Sequence, residues 1–265
     1  MTGGAGHALT SIAHRAADAA RRATMTVYRA EGLDAEDKGP LGAYDPVTAA
    51  DKAAEAAIRT VLAEARPEDG VLGEEEVARP GRSGLTWVVD PIDGTRAFLI
   101  GAPTWGTLIA LNDGVRPVLG LVDQPATGDR FWGDGGGAWL RRDVGPERRL
   151  SVRRGVGLEE ARLCTTYPEI GDPEEQAAFV RVRDRVRLTR YGLDCTAYCL
   201  LAAGGVDLVI EAGLQPYDVQ ALIPVVEGAG GRLTTWEGGD AQHGGRILAA
   251  ATPELHAAAR ELLAG

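Results

Sequence analysis

Residues 7–29 are rich in alanine, with apolar positions at helical spacing, and predict a helix. Residues 32–46 collect Gly, Pro and Asp and predict a loop. Thr48 followed three positions on by Asp51 predicts a capped helix start, and the helix runs to about residue 65, where Arg66-Pro67 stops it. Val71-Leu72-Gly73 then leads into the acidic run Glu74-Glu75-Glu76. The middle of the chain reads as β: strands over 85–90, 104–111, 118–122, 130–132 and 138–141 form an antiparallel meander, with a turn signal at Asn112-Asp-Gly114. The last third alternates. Strands over 161–166, 186–191, 206–211, 232–236 and 246–250 are interleaved with helices over 173–185, 194–203 and 218–228, and a helix over 253–263 closes the chain. Alternating β and α predicts a layered α/β region, so the expected class is mixed, α+β or α/β. We read 1–265 as one compact unit, with subdomains of about 1–145 and 146–265 meeting near 144–149.

Length and composition narrow this little: 265 residues, 45% hydrophobic and 25% charged, describe an ordinary globular chain. Charge narrows it more. Twenty-eight basic against 38 acidic residues give −10, which argues against nucleic-acid or membrane partners and suits a protein that gathers cations. No apolar run reaches the ~18–20 residues that span a bilayer. The first residues lack the basic-then-apolar pattern of a secretory signal. Three cysteines, Cys164, Cys195 and Cys199, make no framework, and a reducing, cytoplasmic setting is expected, with the thiols as small buried groups. The four histidines form no zinc-ligand pair.

The chemistry concentrates in Trp87-Val-Val-Asp90-Pro91-Ile92-Asp93-Gly94-Thr95. An apolar strand delivers Asp90 to its C-terminal end, where α/β sites lie. Two carboxylates three apart on a bent loop, with the Ile92 carbonyl between them, can converge on a hard cation such as Mg²⁺. Gly94-Thr95-Arg96-Ala97 then opens a short helix whose N–H groups suit a phosphate. Asp, Pro and Gly also make turns, but the full string is expected by chance in roughly one such chain in ~10⁴. Metal-holding carboxylates beside anion-holding amides are what metal-assisted phosphoryl transfer requires. By themselves, Glu74-Glu75 would be a solvated face and Asp218 a helix-start carboxylate.

With these strings in place, the chain resembles the Mg²⁺-dependent, lithium-sensitive inositol monophosphatase-like phosphatases over nearly its whole length. The resemblance rests on Asp45-Pro-Val-Thr-Ala-Ala-Asp51, Gly73-Glu74-Glu75, Asp90-Pro-Ile-Asp-Gly-Thr95, and Pro216-Tyr-Asp218 through Glu227-Gly-Ala-Gly-Gly231. It implies a layered αβαβα sandwich and two or three Mg²⁺ ions. Glu74, Asp90, the Ile92 carbonyl, Asp93 and Asp218 are implied as metal ligands. Thr95, paired with Asp51 and close to Glu74, would orient the attacking water, and the Gly94 and Thr95 amides would cradle the phosphate. Glu211 would face the alcohol portion of the substrate. A homodimer is also implied; the apolar span 105–111 serves either as its surface or as core.

Within the family the chain looks closest to the histidinol-phosphatase branch, through residues 98–111, 189–195 and 211–218. Tyr217 stands where inositol phosphatases carry Trp, and Leu193-Asp194 where they carry small residues facing the sugar. An acid there suits a cationic alcohol, so Asp194 and Glu211 are candidate contacts to histidinol phosphate; Asp194 as a helix cap is the alternative. The activity implied is hydrolysis of histidinol phosphate, a step in histidine biosynthesis. Its rivals are hydrolysis of inositol 1-phosphate or another small phosphomonoester or bisphosphate, Arg96 and Arg190 being candidates for a second phosphate, and a metal-binding protein without catalysis.

Overall fold

A computed structural model describes residues 3–30, 35–37 and 46–265, with side chains described from Gly6 and, after the first gap, from Thr48. Helix α1 (Gly3–Val27) is followed by a two-stranded antiparallel ladder, β1 (Ala35–Asp37) and β2 (Pro46–Thr48), inside the stretch read from sequence as loop. The remainder of that stretch, with Asp45, lies outside the described residues. Helix α2 (Ala49–Ala65) starts as expected: the Thr48 hydroxyl accepts from Ala50 N, and Asp51 accepts from Thr48 N.

Seven strands follow, β3 (Gly70–Gly73), β4 (Thr86–Asp93), β5 (Gly106–Asn112), β6 (Pro117–Gln124), β7 (Asp129–Gly133), β8 (Ala138–Arg142) and β9 (Arg148–Arg149), with α3 (Thr95–Leu99) after β4. They form one sheet in sequence order, parallel between β3 and β4 and antiparallel beyond. After a 3₁₀ turn at Leu158–Glu160 come β10 (Arg162–Thr165), α4 (Pro173–Arg183), β11 (Leu188–Tyr191), α5 (Cys195–Ala202), β12 (Leu208–Leu214), α6 (Pro216–Val219), α7 (Leu222–Gly228), β13 (Arg232–Thr235), β14 (Gly245–Ala250) and α8 (Pro253–Ala264). These strands form a second sheet, β11-β10-β12-β14-β13. The helix expected over 218–228 is two helices: it begins early, at Pro216, where a proline costs no hydrogen bond, and it breaks after Val219.

Strict alternation along the strands builds the layers. Val89, Ile109, Leu111 and Leu121 face α1 and α2, where they meet Ala13, Ala17, Ile58 and Leu62. Their neighbours Val88, Leu108, Ala110 and Val122 face a central layer of α5, α6 and α7, which also receives Cys164, Val209, Ile247 and Ala249 from the second sheet. The opposite face of that sheet, with Leu163, Leu208, Ile210 and Leu248, packs against Phe179 of α4 and Leu255 of α8. The order is therefore α, β, α, β, α, as the resemblance implied. All of β5 is buried in this core, so the span weighed as a dimer surface is interior. Its aromatic neighbour Trp105 is buried as well. Cys164, Cys195 and Cys199 are free and buried. Among the described residues no helix is long and apolar enough to cross a membrane.

Candidate metal centre and substrate pocket

Residues three apart on a regular strand point to opposite faces, yet Asp90 and Asp93 converge. The register explains this: Asp90 pairs with Leu108 and Asp93 with Gly106, so three steps on β4 oppose two on β5. That extra residue is a bulge, which re-aims a side chain. Pro91 sits in it and has no N–H to give the ladder. Asp90 Oδ1 then accepts from Ile92 N (3.0 Å), and Thr107 Oγ1 holds the Pro91 carbonyl (2.8 Å).

The third carboxylate comes from the second half of the chain. Asp218 sits on α6, where its carboxylate accepts from Gln215 N (2.7 Å). Oxygens of Asp90, Asp93 and Asp218 lie within 4.8 Å of one another. Ligands at about 2.1 Å from one Mg²⁺ stand about 3–4 Å apart, so the triad fits a single ion, and its donors are all hard oxygens. Burial pushes the Asp90 carboxyl well above its ordinary range, and the charges of Glu74, Asp93, Asp218 and Asp51 push it further. Asp93 is raised likewise, by burial and then by Asp194 and Asp218, against the pull of the Cys195 N–H at 2.6 Å. A cation beside these acids would offset the repulsion that raises them.

Glu74 lies outside the triad, but it is the strongest charged neighbour of Asp90. Its position depends on a residue the sequence reading passed over. Glu55 of α2 is fully buried, and its carboxylate accepts from Glu75 N (2.8 Å) and Glu76 N (3.1 Å) while pairing with Arg59 Nε (2.8 Å). A side chain at Gly73 would collide with that carboxylate, so Gly73 is glycine for close approach. Glu55 thus clamps the loop that carries Glu74. Its one sequence signal was a Glu on the apolar side of α2, in line with Asp51.

The Thr95 hydroxyl donates to the Ile92 carbonyl (3.1 Å), and one carboxylate oxygen of Asp51 accepts from the N–H and hydroxyl of Thr48 (2.8 and 2.6 Å). Gly94 opens α3 with φ +90°, and a Cβ there would stand 2.9 Å from the Thr104 carbonyl and 3.3 Å from Asp194 Cγ. Glycine is needed on both counts.

Asp194 overturns its simpler reading. It precedes α5 but makes no capping bond, since φ 45° and ψ −138° are not the extended conformation of a cap. The chain holds it in a sparsely populated region, which marks functional sites. Its carboxyl is raised to about 6 by burial, against the nearby Arg96. The Arg96 guanidinium stacks 5.1 Å over the Tyr167 ring. Glu211, on β12, is buried and accepts from Thr166 N (2.8 Å), Thr166 Oγ1 (2.9 Å) and Thr165 Oγ1 (3.2 Å). Burial pushes it up to about 8 despite these bonds. Asp194, Glu211, Asp93 and Asp218 line one cavity of about 140 Å³, together with Tyr198 and Leu222. Tyr198 was not anticipated; it reads as an apolar-face residue of α5.

Known proteins resemble this chain over most of its length. The model of the inositol monophosphatase family matches residues 7–264. The chain is 42% identical over 230 residues to the chloroplastic bifunctional phosphatase IMPL2 of Arabidopsis thaliana, covering 86% of this chain and 64% of that protein. It is 40% identical over 236 residues to a histidinol-phosphatase of Mycobacterium tuberculosis, covering 88% and 89%. Among solved structures, an inositol monophosphatase from Zymomonas mobilis superposes with a TM-score of 0.84 at 37% identity, covering 96% of this chain and 97% of that one. The chain belongs to the inositol monophosphatase family of phosphatases.

Proposed function

We propose that the protein hydrolyses histidinol phosphate to histidinol and phosphate with the help of Mg²⁺, and so serves histidine biosynthesis. The observation that supports the substrate is that Asp194, strained and making no capping bond, lines one cavity with Glu211. A neutral polyol could only donate hydrogen bonds to two acids there; a cationic alcohol gains charge-assisted bonds as well. Asp194 is raised to about 6 and Glu211 to about 8, so Asp194 is the ionised acid at pH 7, and a cation beside Glu211 favours loss of its proton to solvent. The histidinol-phosphatase of M. tuberculosis, at 40% identity over most of both chains, supports the same substrate.

Asp90, Asp93, Asp218, Glu74 and the Ile92 carbonyl would hold the metal, two or three ions in all. When bound, Mg²⁺ supplies neutralisation of the phosphate charge and acidification of a water. The chain supplies the rest. The Gly94 and Thr95 amides receive the phosphate. The Thr95 hydroxyl, its proton committed to Ile92, keeps a lone pair to accept from the attacking water, with Glu74 as the second orienting group. Asp51 fixes the start of α2 and adds to the negative field at Asp90. Asp194 and Glu211 hold the leaving alcohol.

The test is Mg²⁺-dependent phosphate release from L-histidinol phosphate and inositol 1-phosphate side by side, with Asp194→Ala as a third arm. Preference for histidinol phosphate, reduced about tenfold or more in the variant, is expected. Preference for the inositol ester, or a preference untouched by the mutation, would withdraw the substrate. No Mg²⁺-dependent release from any phosphomonoester would withdraw the catalytic role.

A further inference from the structure

Asp218 stands on α6, a single turn of helix, and the chain just beyond it is fastened to the first sheet in two ways. The first is through backbone. Gly120 of β6 and Gly133 of β7 are cross-strand partners. A Cβ on Gly120 would collide with the Ala221 carbonyl, and one on Gly133 with the Pro224 carbonyl. The junction of α6 and α7 therefore lies directly on the sheet, in a notch that glycine leaves open.

The second is a cluster of three buried amides. Asn112, the last residue of β5, donates from Nδ2 to Gln220 Oε1 (3.0 Å) and to Gln242 Oε1 (2.8 Å). Gln220, directly after α6, donates from Nε2 to the Gln242 carbonyl (3.1 Å). Gly114 N donates to Asn112 Oδ1 (2.8 Å), and Gln242 Nε2 donates to the Val115 carbonyl (2.8 Å). A buried polar network satisfied in this way fixes one arrangement of the segments it joins.

Resting on Asp218 as a metal ligand, we propose that Gln220 is a positioning residue: bonded to Asn112 and to the Gln242 backbone, it seats α6 on the first sheet and holds Asp218 against Asp90 and Asp93 before an ion arrives. Two positions separate Gln220 from Asp218, so little chain lies between the fastening and the carboxylate. Repulsion among three carboxylates works against that seating. An ion that needs all three binds the seated state, so its apparent affinity falls with the seated fraction.

Gln220→Met keeps the reach of the side chain and removes both polar ends. Mg²⁺ binding, measured by calorimetry without substrate, should weaken about tenfold, the equivalent of one or two lost hydrogen bonds. The Mg²⁺ needed for half-maximal phosphate release should rise by a similar factor, with kcat at saturating Mg²⁺ near wild type, because the ion reseats α6. Leu255→Ala is the control: it deletes a core contact on α8, beyond the second sheet, and should lower the melting temperature at least as far while leaving Mg²⁺ affinity unchanged. Wild-type affinity in Gln220→Met, or an equal loss in Leu255→Ala, would overturn the role of Gln220 alone. Should Gln220→Met fail to fold, Asn112→Ala carries the test, since it removes the donor on β5 and leaves Gln220 its bond to the Gln242 carbonyl; wild-type affinity there would overturn the role equally. A wild-type protein that binds no Mg²⁺, or an Asp218→Asn variant that binds it as tightly as wild type, would overturn the metal reading and this role together.

Discussion

Replacing Glu211 with Gln should stabilise the protein, and by more as the pH rises. The Glu211 carboxyl sits near 8 in the folded protein and near 4.5 in the unfolded chain. Below about 4.5 it is protonated in both states and costs nothing. Between 4.5 and about 8 the folded protein holds a proton that the unfolded chain has released, so stability falls with rising pH. Above about 8 the loss is complete, at about 5 kcal/mol for the whole interval. Gln is neutral throughout: its carbonyl can accept from Thr166, and its amide can donate to the Thr165 hydroxyl. Urea unfolding of both proteins at pH 6 and 8, without divalent cation, reads the effect of Glu211 together with its coupling to Asp194. The variant should gain about 2 kcal/mol on the wild type between those two pH values. Parallel pH profiles would mean that Glu211 is ionised at neutral pH, and that its three hydrogen bonds outweigh its burial.

Glu55→Gln should weaken Mg²⁺ binding, measured by calorimetry without substrate, about 10- to 100-fold, as loss of a group that orients a ligand does. Unchanged affinity in a folded variant would free the Glu74 loop from its clamp. Asp93→Asn removes a ligand charge and should raise the Mg²⁺ needed for half-maximal phosphate release by at least about tenfold. Near-wild-type release at low Mg²⁺ would take Asp93 out of the metal set.

The layers were legible because both strand faces are buried in different cores: runs such as Trp87-Val88-Val89 and Leu108-Ile109-Ala110 read as strands, and the interleaved helices set their order. Helix starts were legible where a cap declares itself, at Thr48, and where a proline opens the first turn, at Pro253. Asp90-Pro-Ile-Asp-Gly-Thr was legible as chemistry because turn residues and ligand residues coincide there. What stayed hidden depends on tertiary contact. Glu55 looks like any charged residue in a helix until the 74–76 loop folds over it. Asp194 carries the sequence of a cap, and only its backbone conformation excludes that. Thr95 and Asp51 were paired by resemblance; the bonds of Thr95 to the Ile92 carbonyl and of Asp51 to Thr48 come only with the fold. Tyr198 has an apolar residue's surroundings and a polar residue's orphan oxygen, a combination no periodicity reveals.

Asp90 and Asp218 meet in space but stand 128 positions apart in the chain. Bringing such distant segments together costs about 4 kcal/mol in loop entropy alone, and mutual repulsion of the carboxylates adds to it. Local hairpins of the first sheet can form long before this closure. On a ribosome, the metal triad cannot exist until α6 has been made, about four-fifths of the way along these residues. Any ion that bridges the triad ties the first sheet to the second half as a cross-link would. Loss of the ion should therefore loosen the seam between the halves before either sheet melts, and protease cleavage in the chelated protein is expected first around α6.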